Sequence, residues 1–173
     1  LQAGIEMLDD RAGVDAAWRI EGLAVLVWAL GLAPLPPYDV LADADALNDA
    51  IGYLDAPRAN ALVASAHLMP RERLDAVCRQ ARAIHWRLRE FRLQPAPIDF
   101  VTTATDSLLG SMDVSWCRFV NDDLALRSDG GDVAIIDADD DVVDQVQSVA
   151  YERYVAATWL LHGGTYSNVQ IQV

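Results

Sequence analysis

Every residue from 23 to 30 is apolar, so a helix over this stretch has no polar side to turn toward water. A cluster of three prolines that begins at Pro34 prevents the helix from continuing. An apolar run this short is typical of a helix in a protein core rather than of a membrane span. We therefore predict a buried central helix in which Leu26 and Trp28 are almost wholly enclosed and around which the other helices pack.

A second helix is predicted after Pro70, because apolar residues recur there at intervals of three and four positions. These residues form one face of the helix: Leu74, Val77, Ala81, Ile84, Leu88 and Phe91. The opposite face is predicted to carry most of the positive charge of the chain, on Arg71, Arg73, Arg79, Arg82, Arg87 and Arg89. A third long helix is predicted over about residues 142–161, ended by Gly163 and Gly164.

A β-hairpin is predicted at about residues 123–136. Two β-prone runs, at 124–127 and 133–136, flank the turn sequence Asp129-Gly130-Gly131. Because a lone hairpin needs other elements to cover one of its faces, we expect helices to lie against it. Residues 98–120 show no dominant period, and we predict a mostly irregular segment there.

Shorter helical patterns occupy the rest of the chain. Residues 2–10 have apolar positions at helical spacing, and residues 9–13 are typical of the turn that ends such a helix. Further short helices are predicted from Asp43 or Asp45 to Leu54 and from Arg58 to Leu68. The whole pattern predicts a mainly α fold: one compact helical domain of residues 1–173 around the central helix, with the hairpin as an appendage.

Composition narrows the classes of function. The 173 residues are 53% hydrophobic, which is enough for one core, and the formal charge of −13 repels nucleic acid and anionic membrane surfaces. This charge favours a basic protein partner. Two cysteines cannot form the framework of a small secreted scaffold, so we expect a cytoplasmic protein. Because the chain begins with Leu1 rather than Met, we also expect a segment upstream of it.

Three motifs together resemble the bacterial domain-of-unknown-function family 4272. They are Trp18-Arg19-x-Glu21-Gly22-Leu23 running on to Trp28-Ala29-Leu30-Gly31, then His85-Trp86-x-Leu88-Arg89, and finally Glu152-Arg153-Tyr154 with Ala156 and Thr158-Trp159-Leu160. The family usually has His and Asn where this chain has Tyr154 and Thr158, so the roles of those two positions do not transfer. The resemblance covers most of the chain. It implies a helical domain with a small β element that extends further toward the N-terminus, and it implies no particular activity.

Catalytic and metal-binding patterns are not found in the sequence. None of the three histidines has a glutamate three residues before it, and the cysteines lack a C-x-x-C spacing. Cys78 and His85 would lie about 10.5 Å apart along one helix, too far for a nucleophile and its base. The acidic run at 137–144 lacks the glycine and glutamate of a calcium loop and is better explained as the start of a helix. We predict no catalytic residue, metal or cofactor.

Charged residues in the two most apolar helices are the best candidates for a site. Arg19 and Glu21 lie in the central helix, Glu152 and Arg153 lie in the last helix, and His85 could line the same place. One interpretation is a polar pocket that binds a ligand. The other is a set of ion pairs that fix helix packing, since charges in such helices are rarely buried without partners. We favour the second and predict at least one salt bridge between the two helices.

These patterns support two hypotheses about function. The first is a non-enzymatic protein-interaction or regulatory module, because no catalytic constellation is present and the acidic surface suits a basic partner. The alternative is a small-molecule-binding protein or enzyme that uses the cluster of Arg19, Glu21, His85, Glu152 and Arg153. A deep pocket at the cluster would favour the alternative, and a closed, paired cluster would favour the first hypothesis.

Overall fold

The structure, a computed structural model, describes residues 10–105 and 112–171. The burial of side chains is described from Ala17 onward. Its helices are α1 (Asp10–Ala29), α2 (Ala44–Ile51), α3 (Ala56–Ser65), α4 (Arg71–Leu93), α5 (Phe100–Thr105) and α6 (Asp140–His162). Its strands are β1 (Phe119–Val120), β2 (Asp123–Ser128) and β3 (Gly131–Ala134). The predicted mainly α fold with a small β element is confirmed.

Helix α6 lies between the other two long helices and packs against both α4 and α1. The predicted apolar face of α4 is confirmed, because all six of its residues from Leu74 to Phe91 are buried. Three of them, Ile84, Leu88 and Phe91, meet Val143, Val146 and Ala150 of α6 in the largest part of the core. Among the described helices, none has both the length and the hydrophobicity to cross a bilayer.

Helix α1 is buried on two sides rather than all round. Val25 packs against Ala156 and Ala157 of α6, while Ala24 and Val27 pack against Leu47 of α2. The prediction that Leu26 and Trp28 are almost wholly enclosed is wrong, since both side chains are partly exposed. The prediction that the other helices pack around α1 holds only in small part for α4, which packs mainly on α6 and shares a small apolar cluster with α1 through Val77 and Val25. An apolar helix therefore contributes two faces to this core without lying at its centre.

The N-terminal turn predicted at residues 9–13 is not present from residue 10 onward, because α1 already begins at Asp10. Gly13 is tolerated inside the helix at a cost of about 1 kcal/mol relative to alanine. The short helix predicted for residues 2–10 falls almost entirely outside the described residues. The predicted beginning of α2 is confirmed, since the Asp43 carboxylate accepts hydrogen bonds from the backbone N–H of Asp45 and Ala46.

The predicted hairpin is confirmed up to Ala134, with Ser128 opposite Gly131 and Ala125 opposite Ala134, whereas Ile135–Asp137, partly inside the predicted second run, form a 3-10 helix. A third strand, β1, was not predicted; it pairs antiparallel with β2 across Asn121 and Asp122, whose φ angles are 53° and 64°. Positive φ at two successive residues is the signature of a tight hairpin turn. The sheet is more than an appendage, because three successive β2 residues are fully buried in the core: Leu124, Ala125 and Leu126.

Arg87 is a correction to the predicted basic face of α4. Its side chain is fully buried, and Nε and Nη2 donate to the two carboxylate oxygens of Asp123 at 2.7 and 2.6 Å. Nη2 also donates to the Ala96 carbonyl oxygen at 2.9 Å. Arg87 follows Ile84 by three residues and precedes Phe91 by four, so helical spacing places it on the apolar face. It joins α4 to β2.

Candidate functional site

Two of the predicted site residues form a sealed pair, Glu21 and Arg153, between α1 and α6. Glu21 is 0% exposed and Arg153 is 4% exposed. Nε and Nη2 of Arg153 donate to Oε2 of Glu21 at 3.0 and 2.8 Å. The predicted salt bridge between the two helices is therefore confirmed.

The remaining donors of Arg153 bind the loop between α1 and α2. Nη1 donates to the carbonyl oxygens of Pro36 and Pro37, each at 2.9 Å, and Nη2 donates to Val40 at 2.8 Å. All five N–H groups of the guanidinium thus have an acceptor. Oε1 of Glu21 accepts from the Ala42 backbone N–H at 2.8 Å. Since the sealed pair is saturated by protein groups, its geometry favours a structural role for these two residues.

The other three predicted site residues, Arg19, His85 and Glu152, line a cavity of 590 Å³. We call it the polar cavity. Two aromatic residues, Trp18 and Tyr151, share its lining, together with Asp144, Gln147 and Ser148 of α6. Its walls come from α1, α4 and α6, so the three long helices define one concave site.

Helical geometry explains why the predicted cluster divides. Two helical residues that are two positions apart are separated by a rotation of about 200° around the helix axis. Arg19 and Glu21 therefore point to nearly opposite sides of α1. Glu152 and Arg153 differ by about 100°. Each helix therefore directs one charge into the sealed pair and the other into the polar cavity.

His85 is the most enclosed residue of the polar cavity, at 6% exposed. Its ring lies 5.7 Å from the Tyr151 ring and 6.1 Å from the Tyr154 ring. Its Nδ1 is buried without a hydrogen-bond partner among the described residues. A buried N–H without an acceptor is costly, so we assign the proton of the neutral ring to Nε2. Burial, with a smaller effect of Arg89, lowers the pKa of His85, and the ring is neutral at pH 7.

Arg19 and Glu152 both act electrostatically on the Tyr166 hydroxyl. Burial is the largest of the effects that raise the pKa of Tyr166. Glu152 raises this pKa further, and Arg19 lowers it. At the other end of the cavity, Asp144 forms an exposed ion pair with Arg92. The lining thus holds two carboxylates and one guanidinium.

Several cavity residues were not predicted from the sequence. Asp144, Gln147, Ser148 and Tyr151 belong to α6 and recur at intervals of three and four residues. This spacing gives α6 a second, polar stripe beside its buried one. The stripe could have been found from the same periodicity that predicted the helix, had polar positions been followed as well as apolar ones.

Two observations concern possible metal ligands and nucleophiles in the described part of the chain. Within residues 10–105 and 112–171, no group of three or more His, Cys, Asp or Glu side chains is placed to hold a metal ion. Cys78 lies with its Sγ 3.7 Å from the Thr158 hydroxyl oxygen, and burial raises the pKa of its thiol. A raised pKa lowers the thiolate fraction that nucleophilic attack requires.

Comparison of the chain with protein families, with curated proteins and with solved structures finds no match. The resemblance to family 4272 stays a prediction. Any function has to be argued from the geometry of the site.

Proposed function

We propose that the protein is an interaction module for a basic partner protein, and that the polar cavity receives a lysine or arginine side chain of that partner. The observation that carries the proposal is the composition of the cavity: two carboxylates, one guanidinium, two aromatic rings and a neutral histidine around one open space. The two free thiols, Cys78 and Cys117, support a reducing, cytoplasmic location for this interaction.

Charge favours a cationic group in the polar cavity. The lining holds the carboxylates of Asp144 and Glu152 and one guanidinium, that of Arg19, and the Asp144 carboxylate also pairs with Arg92. The whole chain carries a formal charge of −13, so its field attracts cations from a distance. His85 adds no positive charge at pH 7, because burial lowers its pKa. A basic segment would therefore be attracted to this face and held there.

The aromatic residues favour the same kind of group. Tyr151 is 44% exposed, and Trp18 is partly exposed beside it on the cavity wall. A cation placed over such a ring gains about 0.5–2 kcal/mol, depending on how far it is removed from water. Aromatic residues are also enriched among those that dominate protein-protein binding.

The proposal can be tested with a peptide of alternating lysine and glycine residues, measured by isothermal titration calorimetry at several salt concentrations. We expect binding that weakens as salt rises, because exposed charges are screened. Glu152→Gln should weaken it by about fivefold or more. The matched control is Asp129→Asn, which removes a carboxylate from the exposed hairpin turn and should leave binding unchanged. Equal affinity in both variants, or equal binding of a glutamate-glycine peptide, would contradict the proposal.

A second candidate function is the binding or conversion of a small molecule in the same cavity. The observation in its favour is the volume of 590 Å³, which lies within the range of roughly 300–1,000 Å³ that ligand pockets occupy. Methylammonium and methylguanidinium, the bare cationic groups of lysine and arginine side chains, distinguish the two candidates. Binding of these ions as tightly as the lysine-glycine peptide would favour the small molecule.

A further inference from the structure

A second cavity of 340 Å³ is lined in part by other residues of α4 and α6. We call it the apolar cavity. Its walls include the following apolar residues: Leu35, Pro37, Val77, Ala81, Ile84 and Trp116. Its volume also falls within the range of roughly 300–1,000 Å³ that is typical of ligand sites. Its lining comes from α4, α6, the loop between α1 and α2, and the segment before β1.

The loop that forms one wall of the apolar cavity is held by two parts of the protein. Arg153 of α6 binds the carbonyl oxygens of Pro36, Pro37 and Val40, as described above. The two residues between them bind β2: the Tyr38 hydroxyl donates to the Ala125 carbonyl oxygen, and Asp39 accepts from the Arg127 backbone N–H at 2.8 Å. The sealed pair therefore fixes this wall in place, and a fixed wall reduces the entropy lost when a ligand binds.

The charges in the walls of the apolar cavity are already compensated. Arg153 donates five hydrogen bonds to protein groups, two of them to the Glu21 carboxylate. Arg118, the other charged residue of the lining, forms ion pairs with Asp39 and with Asp132, the latter at 2.7 Å. Among the described lining residues, no charge lacks an opposite charge. A charged ligand would lose its hydration here without gaining a partner.

Trp116 marks the opening of the apolar cavity. It is 57% exposed although it belongs to the lining, so one part of its ring system meets the cavity and the rest meets solvent. The ring of Tyr38 lies in the same wall, with the Arg118 guanidinium 5.1 Å from its centre. Aromatic faces at the mouth of an apolar space are suited to stacking on another ring.

We infer that the apolar cavity is a binding site for a small, uncharged molecule that carries an aromatic ring, with Trp116 stacking on that ring. The inference is independent of the basic-partner proposal, because the two cavities share no lining residue. Apolar contact and stacking would supply the affinity, and the compensated arginines would set the preference for a neutral ligand.

The test uses three probes that share one ring system and differ in charge: indole, tryptamine and indole-3-acetate. Binding to the full chain is measured by ligand-observed NMR and by titration of the backbone amide signals. We expect saturable binding of indole that shifts the Trp116 signals, and at least tenfold weaker binding of the two charged probes. Absence of saturable indole binding, or equal affinity for a charged probe, would overturn the inference.

Single-residue variants test whether indole binds in the apolar cavity. Trp116→Ala should weaken indole binding by about tenfold, because it removes the stacking surface. Ala81→Leu should weaken it as well by filling the cavity from α4. The matched control is Tyr151→Ala, which removes a partly exposed ring from the polar cavity and should leave indole binding unchanged. If both Trp116→Ala and Ala81→Leu bind indole like the parent chain, the inference is wrong; loss in both, with binding kept in the control, supports it.

Discussion

The sealed pair and the polar cavity are built from neighbouring residues of the same two helices, yet their chemistry is opposite. Glu21 and Arg153 lie in the interior and satisfy one another together with the backbone of one loop. Arg19 and Glu152, their close neighbours in sequence, line a cavity of 590 Å³. One half of the charged cluster is buried in the architecture, and the other half lines an open cavity.

The difference shows what fixes the role of a charge in an apolar helix. Residue type does not decide it, because each half holds one arginine and one glutamate. The direction in which the side chain points decides the role of the charge. Successive helical residues are rotated by about 100°, and this rotation separates an interior position from a cavity position. Stability should therefore depend on the sealed pair, and binding should depend on the cavity.

The largest expected effect on stability is that of Arg153→Met. Glu21 would be left buried without its partner, and the loop would lose three hydrogen bonds. Removing one member of a buried ion pair costs about 3–5 kcal/mol in the free energy of unfolding. Urea unfolding followed by tryptophan fluorescence measures this as a fall in the midpoint at an unchanged m-value.

The control for this prediction is Arg19→Met, which makes the same chemical change on the cavity side. Because Arg19 is exposed, its loss should change the free energy of unfolding by less than about 1 kcal/mol. A double-mutant cycle of Glu21→Gln with Arg153→Met should give a coupling energy well above zero. Similar destabilisation by Arg19→Met and Arg153→Met would break the distinction between the two regions.

A smaller effect is expected for Arg87→Met, which opens the second buried pair. Asp123 would keep two backbone donors, the N–H groups of Leu124 at 2.8 Å and of Ile98 at 3.1 Å. In addition, Nη1 of Arg87 has no partner among the described residues, so the native pair is less complete than the sealed pair. We expect a loss of about 2–3 kcal/mol in the free energy of unfolding, less than for Arg153→Met. Chemical denaturation of both variants in the same buffer compares their free energies of unfolding. A larger loss for Arg87→Met than for Arg153→Met would contradict this ranking.

Sequence patterns predicted the parts of the fold that depend on local chemistry. The apolar period of α4, the Asp129-Gly130 turn and the glycine at the end of α6 each act within a few residues, and each was confirmed. The packing partner of α1 depends on contacts between distant segments, so the apolar run of residues 23–30 predicted burial on too many sides. Strand β1 was missed because its two residues are too few to show a period.

The candidate site was also predicted only in part, because some of its features depend on contacts between distant segments. The salt bridge between α1 and α6 followed from the need of a buried charge for a partner. The role of Arg87 was missed because arginine was assigned to the solvent face by residue type, although its spacing from Ile84 and Phe91 placed it inside. The apolar cavity was not predicted at all, since its walls come from four separate segments of the chain.

The smallest expected effect concerns His85, which links the polar cavity to the dependence of stability on pH. Burial and Arg89 lower the pKa of this ring in the folded state, while an unfolded chain has a histidine pKa of about 6.5. The unfolded state therefore binds a proton at a higher pH than the folded state does. As pH falls below about 6.5, protonation favours unfolding, and this loss of stability continues until the lowered pKa of the folded state is reached.

His85→Gln removes this titration and keeps a polar side chain in the cavity. Well above pH 6.5 the pH slopes of the two proteins should be alike, and as pH falls through about 6.5 the parent chain should lose stability more steeply than the variant. Urea midpoints measured in steps across this window give the difference directly. Ser148→Ala, which alters the same cavity without a titratable group, should keep the steeper slope of the parent chain. If His85→Gln keeps that slope as well, His85 is not the group responsible, and the assignment of a neutral, buried ring in the polar cavity is wrong.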